Sequence, residues 1–242
     1  MSEIESYRLN KYIAMCGICS RREADRLIAA GSVTVNGQPG STGMQVYNSD
    51  RIMVNGKEIS INRQKRVVLA YYKPIGVTCT EKDKYAETVI TDVLAYPVRV
   101  TYAGRLDKDS EGLLIMTNDG ELIDNMMRGS RQHEKEYIVT VNKDITDAFL
   151  QQMQQGIYLD ELDITTRSCT IKKLDTRTFQ IVLTQGVNRQ IKRMTQKLGF
   201  RVLSIKRIRV VNIKLAKLKP GEYREVTGEE LHVLYNLCGL NR

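Results

Sequence analysis

The sequence predicts an α+β protein in which a small N-terminal module precedes a larger domain built on a mostly antiparallel sheet. Two observations support this prediction. Apolar runs rich in β-branched and aromatic residues recur between amphipathic helical segments, and several neighbouring runs are close enough to form hairpins. The length of 242 residues also suits one small and one larger unit better than a single average domain.

The first 60 residues have the pattern of a compact α/β module. Residues 8–15 and 21–30 are predicted as helices, and the second is delimited by a capping box of Ser20 with Glu23 and by Gly31 as its stop. Asn-Gly pairs at 36–37 and 55–56 are signals for tight hairpins. The polar segment 61–66 carries no periodicity and is predicted to be the linker.

Residues 67–242 are predicted to form the larger domain. VVLAYY, at 67–72, is the pattern of a buried strand because it is continuously apolar and rich in β-formers. Thr146 and Asn188 are predicted N-caps. Further strands are predicted at 98–102, 113–117, 137–141, 168–172, 179–184 and 202–213, and helices at 121–127, 146–155, 189–198 and 229–237.

The net charge of +9 is concentrated in two segments. Residues 186–224 hold twelve Lys or Arg against one acid, Glu222, and residues 1–66 hold ten against six. The remainder of the chain is acidic, so the protein has a directed electrostatic face of the kind that binds a polyanion. The alternative interpretation of each segment is an ordinary solvated run of charge.

The composition excludes several classes of protein. No run of 18 apolar residues is present, so we expect no membrane span, and the first ten residues lack a secretory signal. Five cysteines without a disulfide pattern indicate a reducing cytoplasm. Cys16 and Cys19 have the spacing of half a metal site, but no second pair completes it. His133 and His232 lie beside no nucleophile motif.

The run AGRLDKDSEGLLIMTND places Asp107, Asp109 and Glu111 in a turn-like stretch before an apolar strand. From the residues alone, three interpretations remain open. The stretch is a turn whose polar side chains satisfy backbone groups, a Mg²⁺ site of alternating carboxylates, or the carrier of a single catalytic carboxylate, Asp107, between Arg105 and Lys108.

Four ordered motifs resemble those of the pseudouridine synthases, in the form typical of the Rsu branch. They are KPIGV (73–77), GRLDKDSEGLL (104–114), HEKEYIVTV (133–141) and QGVNRQIKRM (185–194). SRREADRLI with the following VTVNG hairpin resembles the S-four RNA-binding domain that this branch carries at its N-terminus. The resemblance covers essentially the whole chain. It implies a mixed-sheet catalytic domain preceded by a small S-four-type domain.

The resemblance also implies a reaction and its catalytic residues. Uridine is isomerised to pseudouridine without gain or loss of atoms, so no cofactor and no metal are expected. Asp107 matches the catalytic aspartate, which acts as a nucleophile or as a base in a cleft that excludes water. Lys192 matches the cation that pairs with it, although Arg193 is an alternative and the family more often has Arg at 192. Tyr137 matches the tyrosine that stacks on the target base.

Further residues are expected to contact RNA. Arg105 matches the motif arginine that replaces the base or holds a phosphate, and Ile205 matches an apolar residue under the base. The helix predicted at 189–198 presents cations beside an apolar stripe, and the following strand continues them. These predicted contacts are Arg189, Arg193, Lys206 and Arg207, with Arg21, Arg22 and Arg26 on the N-terminal module.

Two other functions compete with this interpretation. A non-catalytic ribosome-assembly protein would share the basic face but would not require Asp107, Tyr137 and Lys192 together. A metal-dependent nuclease would use the three carboxylates and would be sensitive to EDTA. For the synthase, 23S rRNA is the expected substrate and a uridine in the tRNA anticodon region is the alternative. We expect a monomer.

Overall fold

The computed structural model describes residues 6–61, 65–80 and 88–240. The chain divides into two compact units, one of Met1–Arg66 with Asn118–Gly120 and one of Val67–Thr117 with Glu121–Arg242. Residues 62–64 of the predicted linker lie outside the described residues. In the described part of the chain, no helix combines the length and the apolar character that crossing a membrane would require.

The first unit is a small two-helix module with short strands. A four-stranded sheet has the order β3-β2-β5-β6, and β1 pairs with β4. One apolar core holds it together, with Leu9, Tyr12 and Ile13 from the first helix. Its elements are β1 (Ser6–Arg8), α1 (Leu9–Met15), α2 (Arg21–Ala29), β2 (Val33–Val35), β3 (Gln38–Pro39), β4 (Gln45–Tyr47), β5 (Ile52–Val54) and β6 (Lys57–Ile59).

The helix cap and the two hairpin turns of this unit form as the sequence predicts. The Ser20 side chain accepts a hydrogen bond from the Glu23 amide at 3.3 Å, which satisfies one of the free N–H groups at the start of α2. Gly31, at φ +71°, follows the end of that helix. Asn36 and Asn55 have positive φ, as do the glycines after them, so both hairpins turn through the predicted type of turn.

The second unit is built on a nine-stranded sheet. Its elements in chain order are β7 (Val68–Lys73), α3 (Ile90–Val93), β8 (Thr101–Ala103), β9 (Glu111–Thr117), α4 (Gly120–Met127), β10 (Lys135–Val141), α5 (Asp147–Gln155), β11 (Tyr158–Leu159), β12 (Ile164–Thr165), β13 (Thr170–Asp175), β14 (Thr178–Leu183), α6 (Gln190–Lys197), β15 (Val202–Val210), β16 (Ile213–Lys214), β17 (Tyr223–Glu225) and α7 (Gly228–Leu237). Turns of 3-10 helix occupy Gly129–Arg131 and Asp160–Leu162.

The large sheet is mixed. Its order is β13-β14-β10-β15-β9-β7-β17, with β16 paired to β15 and β8 to β9. Every pairing within it is antiparallel except that of β9 with β15, where Glu111 lies opposite Lys206 and Gly112 opposite Arg207. The predicted fold class, α+β with a mostly antiparallel sheet, is therefore confirmed.

Helices cover both faces of the sheet, so the central strands are buried on both sides. In β7, Ala70 and Tyr72 face a core that includes residues of α4 and α7, whereas Leu69 and Tyr71 face a second core that includes Leu106. A third core lies between β10, β14, α5 and α6. Successive side chains of a strand point to opposite faces, so the continuously apolar sequence of β7 contributes residues to two separate cores.

Two local predictions about the second unit are wrong, and one strand was missed. The strand predicted at 202–213 is two strands, because Val211 adopts a left-handed conformation, at φ +54°, and turns the chain between β15 and β16. The N-cap of α6 is Arg189, at φ +52°, rather than Asn188. Strand β17 was not predicted, since three residues flanked by polar segments carry too little periodicity to be recognised.

Candidate active site

Asp107 lies in a loop, residues 104–110, that joins β8 to β9; we name it the acidic loop. It lies beside the turn that follows β7, residues 74–79, which we name the Pro74 turn. The Gly76 amide donates to the Lys108 carbonyl at 2.8 Å, and the Leu106 amide donates to the Cys79 sulfur at 3.5 Å. These contacts bring together two motifs that are about 30 residues apart in the sequence.

Lys73 reinforces this junction from beneath. Its side chain is fully buried, and its ammonium group donates to the carbonyls of Pro74 and Ser110, each at 2.8 Å. Burial lowers the pKa of Lys73, while the charges of Asp109 and Asp107 act in the opposite direction. The last residue of β7 therefore holds the end of the acidic loop as well as the start of the Pro74 turn.

Lys192 of α6 connects both carboxylates of the loop. Its ammonium nitrogen is 3.6 Å from an Asp107 carboxylate oxygen and makes a closer hydrogen-bonded pair with Asp109. The lysine side chain is 15% exposed, whereas that of Asp107 is 39% exposed. The expectation that Asp107 lies in a cleft closed to water is therefore wrong for this structure, since the cleft is open.

The surroundings of Asp109 lower the pKa of its carboxyl group. Burial raises its pKa, but the hydrogen bond from Lys192 and the charges of Lys192 and Arg189 exceed that effect, and the net pKa is lowered. From the sequence, Asp109 was interpreted as a turn residue or as a metal ligand. Its closer pairing with Lys192 could not be anticipated, because it depends on how α6 approaches the loop.

A cleft of about 560 Å³ opens between the acidic loop and the Pro74 turn. Cations surround its carboxylates, and an apolar side chain, Ile75, lines one wall with 59% of its surface exposed. A polyanion with an extruded base matches this combination of charge and shape. The lining residues are Ile75, Gly76, Thr78, Cys79, Arg105, Leu106, Asp107, Lys108, Asp109 and Arg189.

Tyr137 lies on β10, where the second and third cores of the unit meet. It is half-buried and packs against both clusters, one of which includes Leu106, the neighbour of Asp107. On the sheet it lies opposite Ile181 of β14 and Arg207 of β15. The tyrosine is therefore placed beside the core under the acidic loop, but it is not among the residues that line the cleft.

Several predicted RNA contacts are placed differently from expectation. Arg207 is 2% exposed, so it cannot reach a phosphate, and this prediction is wrong. Lys206 points to the opposite face, where its ammonium lies 5.0 Å from the centre of the Tyr72 ring, so it does not extend the surface around Asp107. Ile205 is buried in the third core, on the same face as Tyr137.

The cations of α6 are also divided between different partners. Arg193 forms an ion pair with Glu161 of the Asp160–Leu162 turn and donates to the Asn188 carbonyl at 3.0 Å. Of the two candidates for pairing with Asp107, the structure places Lys192 there and Arg193 elsewhere. Arg189 is exposed at the start of the helix and lines the cleft.

The three arginines predicted on α2 lie on the surface of the first unit. Arg21, Arg22 and Arg26 are exposed, and Arg26 pairs with Glu23 one helical turn earlier at 3.0 Å. An exposed pair at this spacing stabilises a helix by only a few tenths of a kcal/mol, so it leaves the arginine available to a stronger anion.

The carboxylates of the metal alternative do not converge. Glu111 accepts a hydrogen bond from the Tyr72 hydroxyl at 2.9 Å, and Tyr72 belongs to the core on the other face of the sheet from Leu106. Within residues 6–61, 65–80 and 88–240, no group of three potential metal ligands comes together. The nuclease interpretation of this loop therefore has no structural support.

A mixed sheet that presents a lysine-paired aspartate beside a cleft with three cations is compatible with an enzyme that acts on a polyanionic substrate. Comparison with known proteins identifies the enzyme family. The family model of RNA pseudouridylate synthase matches residues 67–197, and that of the S4 domain matches residues 8–46. The chain belongs to the RNA pseudouridine synthase family and is an isomerase.

Individual relatives agree with this assignment. The chain is 42% identical to the dual-specificity RNA pseudouridine synthase RluF of Salmonella typhi, over 96% of this chain and 80% of the relative. It is 35% identical to the ribosomal large subunit pseudouridine synthase B of Bacillus subtilis, over 96% of each. A crystal structure of a pseudouridylate synthase superposes with a TM-score of 0.70 at 27% identity, covering 94% of this chain and 99% of that one.

Proposed function

We propose that this synthase isomerises a uridine in folded 23S rRNA, with Asp107 as its catalytic carboxylate. The observation that carries the proposal is the pairing of Lys192, at 3.6 Å, with Asp107, which lines a cleft that also holds other cations. A half-exposed carboxylate beside a largely buried ammonium group is held in place and can still reach a substrate. That is what a nucleophile or a base at the ribose requires.

Tyr137, which lies beside the cleft, and two arginines of its lining have complementary roles in this proposal. Tyr137 stacks on the extruded base, which offsets part of the cost of removing it from its helix. Arg105 and Arg189 hold phosphates on either side of the target nucleotide, since both line the cleft and are exposed. Phosphate contacts of this kind set the position of the RNA without reading its sequence.

We further propose a division of labour along the chain. Residues 1–60 form an RNA-binding domain of the S4 type, residues 61–66 a linker, and residues 67–242 the catalytic domain. The match of the S4 model to residues 8–46 and the exposed arginines of α2 support the first assignment. In this arrangement the small domain adds affinity, and the larger one performs the chemistry.

The choice of RNA rests on the relatives. The Bacillus subtilis enzyme is named for the large ribosomal subunit, which favours 23S rRNA. The Salmonella typhi enzyme is named as having dual specificity, and this favours a second type of RNA substrate. The second candidate is therefore the same reaction on a tRNA uridine near the anticodon.

Mapping pseudouridines in total RNA tests the substrate directly. RNA from cells with the gene, without it, and without it but carrying Asp107→Asn should be compared. A 23S rRNA position that loses pseudouridine on deletion and stays unmodified with the variant is the expected result. Loss at a tRNA position alone would favour the second candidate, and an unchanged map in both classes of RNA would contradict the proposal.

A further inference from the structure

Arg207 is a buried cation whose bonds converge on the acidic loop. Its Nε donates to the Leu113 carbonyl at 2.7 Å, and one terminal nitrogen donates to the Arg105 carbonyl at 3.3 Å. Arg105 precedes Asp107 by two residues, and Leu113 lies in β9, three residues beyond the end of the loop. One guanidinium group thus connects the start of the acidic loop to the strand that leaves it.

The backbone at the same point is equally constrained. Gly112 and Arg207 form the parallel junction of β9 with β15, and a Cβ atom at 112 would lie 2.3 Å from the Arg207 carbonyl oxygen. No side chain fits there without separating the strands. The main chain of Arg207 therefore fixes the strand after the loop, while its side chain fixes the residue near the start of the loop.

Stability alone does not account for a guanidinium at this position. The second terminal nitrogen of Arg207 is buried and has no hydrogen-bond partner among the residues that the structure describes. A buried charge that is incompletely bonded contributes little to folding, and an apolar side chain of similar volume often serves as well. Lys73 and Lys135, which are also cationic, lie within electrostatic reach, and the charge of Arg207 lowers the pKa of both beyond the effect of burial.

We propose that Arg207 is a positioning residue for Asp107, holding the acidic loop in the geometry that places the carboxylate beside Lys192. The inference rests on the proposed catalytic role of Asp107. Arg207 does not contact the RNA in this account, because it is buried. It acts through the two carbonyls that it binds, at Arg105 and Leu113.

The test compares Arg207→Met and Arg207→Lys with a matched control, Arg224→Met. Arg224 is a partly buried arginine of the same unit whose guanidinium is satisfied by Glu230, away from the acidic loop. Three quantities are measured for each protein: the single-turnover rate of pseudouridine formation, the RNA affinity, and amide hydrogen exchange in residues 104–110.

We expect Arg207→Met to lower the single-turnover rate about 100-fold, which is the effect of a displacement of roughly 1 Å at a reacting group. RNA affinity should be retained. Arg207→Lys keeps the charge but has a single donor nitrogen, so its rate should lie between those of Arg207→Met and wild type. Exchange in residues 104–110 should accelerate in Arg207→Met and remain at the wild-type rate in Arg224→Met.

Two results would overturn the inference. One is a wild-type rate with unchanged exchange in folded Arg207→Met protein. The other is an equal loss of rate and protection in Arg224→Met, which would show general destabilisation. If Arg207→Met does not fold, the same two readouts on Arg207→Lys decide, and wild-type values there reject the proposal. The exchange measurement needs no substrate, so the two failures are distinguishable: an active Asp107→Asn protein contradicts the proposed function, whereas unchanged exchange in folded Arg207→Met contradicts the ordering of residues 104–110 by Arg207.

Discussion

At the scale of single residues, the chemistry of the site depends on how one lysine is shared. Lys192 lies closer to Asp109 than to Asp107, so two carboxylates of the same cleft share one cation. Asp109 is the more exposed of the two carboxylates, so its ion pair with Lys192 is more open to competition from solvent.

Tyr137 provides a test of base stacking. It is half-buried and packs against two cores, so removing its ring should cost both stability and activity. Stacking is worth about 1–3 kcal/mol per base, which corresponds to a loss of roughly 5- to 150-fold in Tyr137→Ala. Tyr137→Phe keeps the ring and should lose much less. Single-turnover rates of the two variants measure this, and equal losses would assign the role to the hydroxyl instead.

His133 should make stability depend on pH on the acid side. Burial lowers the pKa of His133, the charges of Lys135 and Arg131 add to the effect, and a hydrogen bond to the Asn125 backbone opposes it. Because the folded pKa lies below about 6.5, the unfolded chain binds the proton first as pH falls. The free energy of unfolding should therefore decline from pH 6.5 downward until the folded pKa is passed.

Urea unfolding at several pH values checks this prediction. His133→Gln should remove the part of the decline that belongs to this group. The matched control is His232→Gln, because His232 is the other histidine of the chain and is exposed. A decline of the same size in wild type and His133→Gln would show that other groups cause it.

At the scale of elements, the contact of β9 with β15 positions the acidic loop, and Gly112 permits it. Gly112 has φ +109°, and an added Cβ would meet the backbone of Arg207. Gly112→Ala should therefore reduce the free energy of unfolding by about 2–3 kcal/mol. Gly120→Ala is the control, since nothing lies within 4 Å of its Cβ position and it begins α4. Equal unfolding midpoints in urea for the two variants would contradict this account.

Elements with strong local signals could be predicted from the sequence, and those that depend on distant partners could not. Helix α2 and the turns at Asn36 and Asn55 follow from capping and turn chemistry that lies within a few residues. The break at Val211 could not be predicted, because a β-branched residue rarely adopts positive φ and only tertiary packing holds it there.

The sequence predicted which residues form the centre of the candidate site, but not where the basic side chains around it point. Motif resemblance identified Asp107 and Lys192, which the fold brings to 3.6 Å. The same resemblance did not reveal that Arg207 is buried while Lys206 lies on the other face, although strand alternation requires that the two point to opposite sides. A run of basic residues shows charge, and only the register of the strand shows where each charge points.

At the scale of the whole molecule, basic residues on the N-terminal unit should contribute to RNA affinity through phosphate contacts. Changing Arg21, Arg22 and Arg26 together to Gln should weaken binding and reduce the slope of log K against log salt by about 0.7–2.7, since each lost phosphate contact contributes roughly 0.7–0.9. Catalysis on bound RNA should persist. Binding isotherms at several salt concentrations measure the slope.

The control for this prediction is Arg51→Gln, which removes an exposed arginine of the same unit that pairs with Glu58. A full wild-type slope in the triple variant would show that α2 does not bind phosphate. A slope reduced equally by Arg51→Gln would show that charge anywhere on the unit has the same effect.

The most direct test of the account is the single-turnover conversion of uridine to pseudouridine by Asp107→Asn protein with saturating enzyme. The account predicts a loss of at least about 1000-fold, because the variant keeps the shape of the side chain but lacks the nucleophile or base. RNA affinity should be retained, and Asp109→Asn should keep measurable turnover. Conversion by Asp107→Asn at a rate near that of the wild type would remove Asp107 from the chemistry and contradict the account.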